Sequence, residues 1–312
     1  MNYTQNMKMS ELVESNFHLL SVFARVGINR SFGEKTVAEA CAQAALDTDT
    51  FLLLCQVYST PDYRPTPQQL RDCHINDILK YLHKSHDYYL NNLVGMADAL
   101  ERLIAPCSER QKEVIRHFYS DYKLELERHF DYEEQQVIPY IQRLVLGLGD
   151  GGFIMNKFEE NHSQIRESLA DLTNLVLKSL PAECDNDLRT DFLISLYHLQ
   201  QDLDSHTSIE DDIMVPMVKL IENPRVTPAA EGRDIASEED SRSALSEREK
   251  EILVSVAEGL SNKEIADRHN ISVNTVISHR KNITKKTGIR TVAGLTVYAI
   301  LNNLIEIGDV DL

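Results

Sequence analysis

The sequence predicts an all-α protein: a small N-terminal helical domain, then a four-helix bundle, then a C-terminal helix-turn-helix. Three observations carry this. Apolar residues recur at helical spacing along most of the 312 residues, with little strand signal. The middle of the chain repeats one helix-pair unit. Near the C-terminus, short helical stretches each open on an S-x-x-E or Ser-initiated cap signal.

Residues 1–59 read as short helices broken near Gly27 and Gly33. Residues 60–70 form a stiff connector, with Thr60-Pro61-Asp62-Tyr63-Arg64-Pro65-Thr66-Pro67 punctuated by proline. From 71 to 222 the spacing predicts four long helices, at about 71–104, 109–145, 152–179 and 187–221. They break at Ala105-Pro106, along the glycine-rich stretch 147–152 and at Pro181. Helices of that length reach roughly 40–50 Å, which suits an up-down bundle with short loops. Residues 223–244 are polar, charged and aperiodic, and read as a flexible linker. Residues 245–312 form a compact run of short helices.

Composition narrows the function classes. A hydrophobic share of 42% with 26% charged residues is ordinary for a soluble domain, and no apolar run is long enough to span a membrane. A cytoplasmic protein is expected. Five scattered cysteines without a C-x-x-C pair read as reduced, inert thiols. The net charge of −17 argues against nucleic acid, yet Arg280, Lys281, Lys285, Lys286 and Arg290 follow His279 with no acid among them. A local basic stripe is what phosphate contact requires.

The repeated unit carries metal-ligand chemistry. His129-Phe-Asp-Tyr-Glu133-Glu-Gln-Gln-Val-Ile-Pro139 and His206-Thr-Ser-Ile-Glu210-Asp-Asp-Ile-Met-Val-Pro216 share H-x-x-x-E, a second acid and a proline at one offset. Residues four apart lie on one helix face, so each His and Glu project together. Upstream, His83 precedes His129 by 46 residues and His162 precedes His206 by 44. Four imidazoles and two carboxylates inside a bundle suit iron, then manganese, better than tetrahedral zinc. His86, three residues after His83, could replace or support it. His117 and His198 read as core or surface groups. Glu125, Glu134 and Asp202 either orient the ligands or face solvent.

The stretch from about Met9 to Met217 resembles the repair-of-iron-centres family (the ScdA/YtfE group), whose hemerythrin-like bundle carries a non-haem di-iron site. The resemblance implies two irons, oxo- or hydroxo-bridged, held by His83, His129, Glu133, His162, His206 and Glu210, with O2 or NO as ligand. Glu34-Lys-Thr-Val-Ala-Glu-Ala-Cys41 through Phe51-Leu-Leu-Leu resembles that family's N-terminal domain. The adjacent cysteine pair usual there is replaced by Arg30 and Ser31, before Phe32-Gly33, and Asn161 stands where an acid commonly precedes the third histidine.

At the C-terminal end, Leu245-Ser246-Glu-Arg-Glu249 and Leu260-Ser261-Asn-Lys-Glu264 are capping boxes, and Ser272-Val-Asn-Thr275 opens a third helix after Asn270-Ile271. Helices are predicted at 245–258, 261–269 and 272–286, with Gly288 as the closing residue. The third helix would enter the major groove by its N-terminal half. Asn274, Thr275, Ser278, His279 and Lys281 can meet base edges or phosphates, and Arg280, Lys285 and Lys286 fit phosphates. Ile265, Ala266, Val276 and Ile283 belong to the small core. Ile277 fits either the core or a thymine methyl.

From Leu245 to Ile289 the sequence resembles the LuxR-type helix-turn-helix, which implies binding of double-stranded DNA. It also implies a homodimer through a last helix at about 291–304, with Val292, Leu295 and Leu301 at the interface. Ile277 and Thr291 depart from residues often basic in that family. No receiver-like segment precedes the module, so phosphorylation control is not expected. The expected function is a transcriptional regulator sensing O2, NO or redox state through the di-iron site. A di-iron enzyme of iron-centre repair or NO/O2 reduction, with an accessory DNA-binding tail, is the alternative, which the missing cysteine pair disfavours.

Overall fold

The computed structural model describes residues 3–28, 32–61, 63–148, 161–222 and 245–305, with the side chains of 161–163 outside that description. The expectations for Arg30 and Ser31, for the side chain at Asn161, for the glycine-rich stretch from 149 onward and for the 223–244 linker therefore lie outside the described residues. Among the described residues there is no strand beyond one isolated bridge, Lys8 to Thr36.

The chain divides into two compact units. The first comprises Met1–Asn92, Glu127–His162 and Gln201–Gly232; the second comprises Leu93–Leu126, Ser163–Gln200 and Arg233–Leu312.

In the first unit, α1 (Met9–Ser15), α2 (Leu19–Arg25), α3 (Val37–Ala44) and α4 (Thr48–Ser59) enclose Met9, Leu12, Leu19, Phe23, Val37, Phe51 and Leu54. Local chemistry starts and stops them. Thr36 and Glu39 form a capping box on α3, Ala45 ends it at φ 51°, and Asp47 caps α4. The expected connector is not wholly irregular. Thr66 caps α5 (Pro67–Asp72), with Pro67 at its first position, where the missing N–H costs nothing. Cys73 then takes an extended conformation, so the first long helix begins at Ile75 rather than 71.

That helix, α6 (Ile75–Leu103), buries Ile78, Leu79, Leu82, His86, Tyr89, Leu93, Met96 and Leu100, a continuous stripe at helical spacing. The second is α7 (Glu109–Tyr132), a π-helical turn (Glu133–Val137) and α8 (Ile138–Val145). The third is α9 (Asn161–Lys178). The fourth is α10 (Asn186–Ile209), a second π-helical turn (Glu210–Met214) and α11 (Val215–Glu222).

In the second unit, α12 (Glu247–Ala257), α13 (Asn262–His269), α14 (Val273–Thr287) and α15 (Val292–Leu301) form the C-terminal module. Ser246, Ser261 and Ser272 cap the first three, Asn270 makes the tight turn at φ 52°, and Gly288 closes α14 at φ 75°. Ile265, Ala266, Val276 and Ile283 are buried with Ile252 and Leu253.

Candidate metal centre and nucleic-acid interface

Two repeated helix segments place carboxylates against imidazoles. His129 and Glu133 meet one turn apart, Nε2 to Oε1 at 2.7 Å, and His206 and Glu210 do the same at 3.0 Å. His86 from α6 brings its Nε2 to 2.9 Å from the other oxygen of Glu133. Ligand atoms of His86, Glu133, His206 and Glu210 all lie within 4.8 Å of one another. His129 joins the group through Glu133. All five residues are at most 8% exposed.

Each glutamate begins a π-helical turn, and its carbonyl accepts from the amide five residues on, Ile138 or Val215. Proline follows at once in both copies. A proline ring clashes with the carbonyl four residues back in an α-helix, and a wider turn relieves that clash. The proline at a fixed offset in the repeat is the sequence signal of this turn.

His83 is not part of the cluster. Its side chain is half exposed, and its Nδ1 lies 3.0 Å from Glu134. The helical phase of α6 explains this: His86 sits on the buried stripe with Leu82 and Tyr89, while His83 shares the outer side with Lys84 and Asp87. The repeat already held the signal. His86 precedes His129 by 43 residues, closer to the 44 separating His162 from His206 than the 46 from His83. His162 lies in the first turn of α9, and its side chain is outside the described residues.

Surrounding groups fix the imidazoles. Glu134 accepts from His86 Nδ1 at 2.7 Å, leaving Nε2 for the cluster, and Phe130 stacks on the His86 ring at 4.3 Å. Tyr89 meets His206 edge-on at 5.4 Å. Asp202 does not orient a histidine in this geometry. It forms a buried ion pair with Arg25 and accepts from Tyr58. Glu125 accepts from Ser168, and His117 lies on the surface beside Asp121.

The donors fit a cation. Burying two carboxylates is costly unless positive charge balances them. In the chain alone, burial works against a charge on His86, yet its bonds to Glu133 and Glu134 outweigh that and push it up to about 9. A proton there supplies part of the compensation that a metal ion would supply.

On the C-terminal module, Asn274, Ser278, Lys281 and Lys285 are exposed on α14, with Thr275 and His279 half-buried. Ile277 is exposed with them rather than buried in the core. Two basic residues are engaged within the module: Arg280 donates to Asn262 at 2.8 Å, and Lys286 pairs with the buried Glu249 at 2.7 Å. On α15, Val292 is exposed but Leu295 and Leu301 are buried. Among the described residues no helix is long and apolar enough to cross a membrane.

Comparison with known families gives two matches. Residues 74–229, half of the chain, match the model of the hemerythrin HHE cation binding domain. Residues 243–299 match that of bacterial regulatory proteins of the luxR family. Among curated proteins, the chain is similar to the transcriptional regulatory protein MctR of Rhizobium johnstonii, 43% identical over 68 residues. That stretch is 22% of this chain and 32% of the relative. It is also similar to the oxygen regulatory protein NreC of Staphylococcus aureus, 40% identical over 74 residues, 24% of this chain and 34% of the relative. The chain thus spans about a third of the length of these relatives.

Proposed function

Because the chain belongs to the hemerythrin HHE cation-binding family, we propose that it is a DNA-binding transcription regulator reading O2, NO or redox state through a non-haem di-iron site. The observation that carries this reading is Glu133, which directs one oxygen to His86 and the other to His129. A carboxylate serving two imidazole positions suits two ions, and buried mixed nitrogen and oxygen donors suit iron. His86, His129, Glu133, His206 and Glu210 would hold the pair, with His162 as the remaining ligand. This donor set also supports kinship with the repair-of-iron-centres (ScdA/YtfE) group.

Bound iron would supply reversible binding of O2 or NO and one-electron redox change, which these side chains lack. The chain's own residues set the conditions. Glu134 and Phe130 hold the His86 ring, Tyr89 holds His206, and burial excludes water from both glutamates. At the other function, Asn274, Thr275, Ser278 and His279 face base edges, while Lys281, Lys285 and Arg280 face phosphates of double-stranded DNA. Lys286, paired with Glu249, contributes less. Two copies read the DNA as a homodimer. The name of NreC, an oxygen regulatory protein, is in keeping with a gas input but belongs to a protein matched over a third of its length.

The test measures iron content and DNA affinity together. Purified protein should carry about two irons per chain. Its affinity for a duplex selected from a random pool should differ between reduced, O2-treated and NO-treated forms. Equal affinity in all three, with iron retained, removes the sensing role; iron that never exceeds one per chain removes the dinuclear site.

A further inference from the structure

Helix α9 presents Asp171, Asn174 and Lys178 at spacings of three and four residues, which sets them along one face. All three reach the junction between α14 and α15. Asp171, fully buried, accepts from the backbone amides of Arg290 and Thr291, each at 2.8 Å, and from the Thr291 hydroxyl at 2.5 Å. Asn174 Nδ2 donates to the carbonyl of Gly288 at 3.0 Å, and Lys178 Nζ to that of Thr287 at 2.7 Å. Farther along, Arg110 donates to the carbonyl of Ile305 at 2.8 Å.

The chemistry of these contacts is complementary. The last carbonyls of a helix lack intrahelical partners and attract a cation, while the first amides of the next attract an anion. Lys178 meets the end of α14 and Asp171 the start of α15, so one bundle helix serves both orphaned ends. The approach is close: a Cβ on Gly294 would stand 2.5 Å from Asp171 Oδ2.

The burial of α15 bears on the same point. Gly294, Leu295, Thr296, Val297, Ala299, Ile300 and Leu301 are all buried, and at about 100° per residue they cover every side of the helix. A helix apolar all round is one that packs on more than one side. Beyond its exposed first turn, the helix expected to pair two copies is thus already covered, while Asn274, Ser278, Lys281 and Lys285 of α14 stay exposed.

We propose that the Asp171, Asn174 and Lys178 edge of α9 is the docking surface for the C-terminal module of its own chain, and that two copies pair through α15 only when this contact opens. The docking stands on geometry alone; its consequence for DNA rests on the DNA-binding reading above. Docking leaves the recognition residues exposed, so it acts through valency. One module binds a duplex singly, and two joined modules gain effective concentration.

The experiment uses the full chain, wild type against Asp171→Ala and the milder Lys178→Ala, each checked for helix content. Hydrogen exchange at the amides of Arg290 and Thr291, sedimentation, and affinity for a 40-base-pair random-sequence duplex are read side by side. Exchange at least tenfold faster, a shift from monomer to dimer at tens of micromolar, and at least threefold tighter DNA binding are expected in both variants. Unprotected Arg290 and Thr291 amides in the wild type overturn the docking. Faster exchange with no gain in dimer overturns the link to pairing. Faster exchange and dimerisation with no DNA bound by any form uphold the proposal and sink the DNA-binding reading instead.

Discussion

Replacing Asp202 with alanine strips the Arg25 guanidinium of its counter-charge in a place water does not reach. The Arg25 side chain is 3% exposed and that of Asp202 9%, and the pair joins α2 to α10. After the change, Arg25 retains the hydroxyls of Tyr81 at 3.2 Å and Tyr89 at 3.5 Å and its contacts over the Tyr88, Tyr89 and Tyr81 rings at 4.5, 5.0 and 5.8 Å, none of which carries a full negative charge. Tyr58 loses its acceptor as well. Removing one partner of a buried pair costs about 3–5 kcal/mol, against a total stability of roughly 5–15 kcal/mol. Asp202→Asn keeps the volume and the Tyr58 contact but loses the charge, and should cost about 3 kcal/mol. The paired change Arg25→Met with Asp202→Leu should return to within roughly 1–2 kcal/mol of wild type, because desolvation and attraction leave together. Urea unfolding of the metal-free chain measures this, followed by circular dichroism and by tyrosine fluorescence, since the chain has no tryptophan. Single changes costing under about 1 kcal/mol, or a double change equal to the sum of the singles, would refute the reasoning.

Three further outcomes follow from the same geometry. His86→Ala and Glu210→Ala should abolish iron loading, while His83→Ala, on the outer side of α6, should retain it; metal analysis after iron reconstitution decides, and the reverse order returns His83 to the site. Lys281→Ala and Lys285→Ala should each weaken DNA binding and lower the salt slope by about 1, without changing iron content; Lys286→Ala should instead lower the melting temperature by removing the cationic partner of buried Glu249, which keeps only its capping contacts with Ser246. Burial pushes the thiols of Cys41, Cys73 and Cys107 up to about 12 and that of Cys55 well above its ordinary value. The folded state thus holds these protons more tightly than the unfolded chain, and stability falls as pH rises above about 8.5. A thiolate-selective reagent should therefore label these four slowly at pH 8 in native protein and fast in urea; rapid native labelling would contradict their burial.

The helices were legible because their boundaries are written in local chemistry. Ser246, Ser261 and Gly288 mark ends that need only their neighbours, and the H-x-x-x-E pairs need only the helical repeat to converge. What depends on a distant partner was not legible. His83 and His86 differ by less than a turn, and which of them faces inward is set by the phase of the whole buried stripe of α6. Asp202 read as either a ligand's support or a solvent-facing acid, because nothing near it in sequence announces Arg25, 177 residues away. Asp171 carried no signal at all, since its partners are backbone amides, which every residue but proline offers.

The two π-helical turns show how the repeat serves the site beyond supplying donors. A π turn is a poor helix in isolation, and here it recurs at both candidate ligand glutamates, ending two residues before Pro139 and Pro216. Proline excludes the tighter α turn by removing a donor and filling its space. Apolar residues within each turn and beyond it, Val137 and Ile141 in one copy and Ile213 and Val218 in the other, are buried and anchor the far side. Upstream, the His129 and Glu133 pair, and the His206 and Glu210 pair, anchor the near side. Each turn is therefore held from both ends by groups that cannot exchange places. A metal held by His129, Glu133, His206 and Glu210 would act first on the π-helical turn that each glutamate opens. That makes α8 and α11 the segments whose backbone exchange should respond to iron loading before the rest of the bundle does.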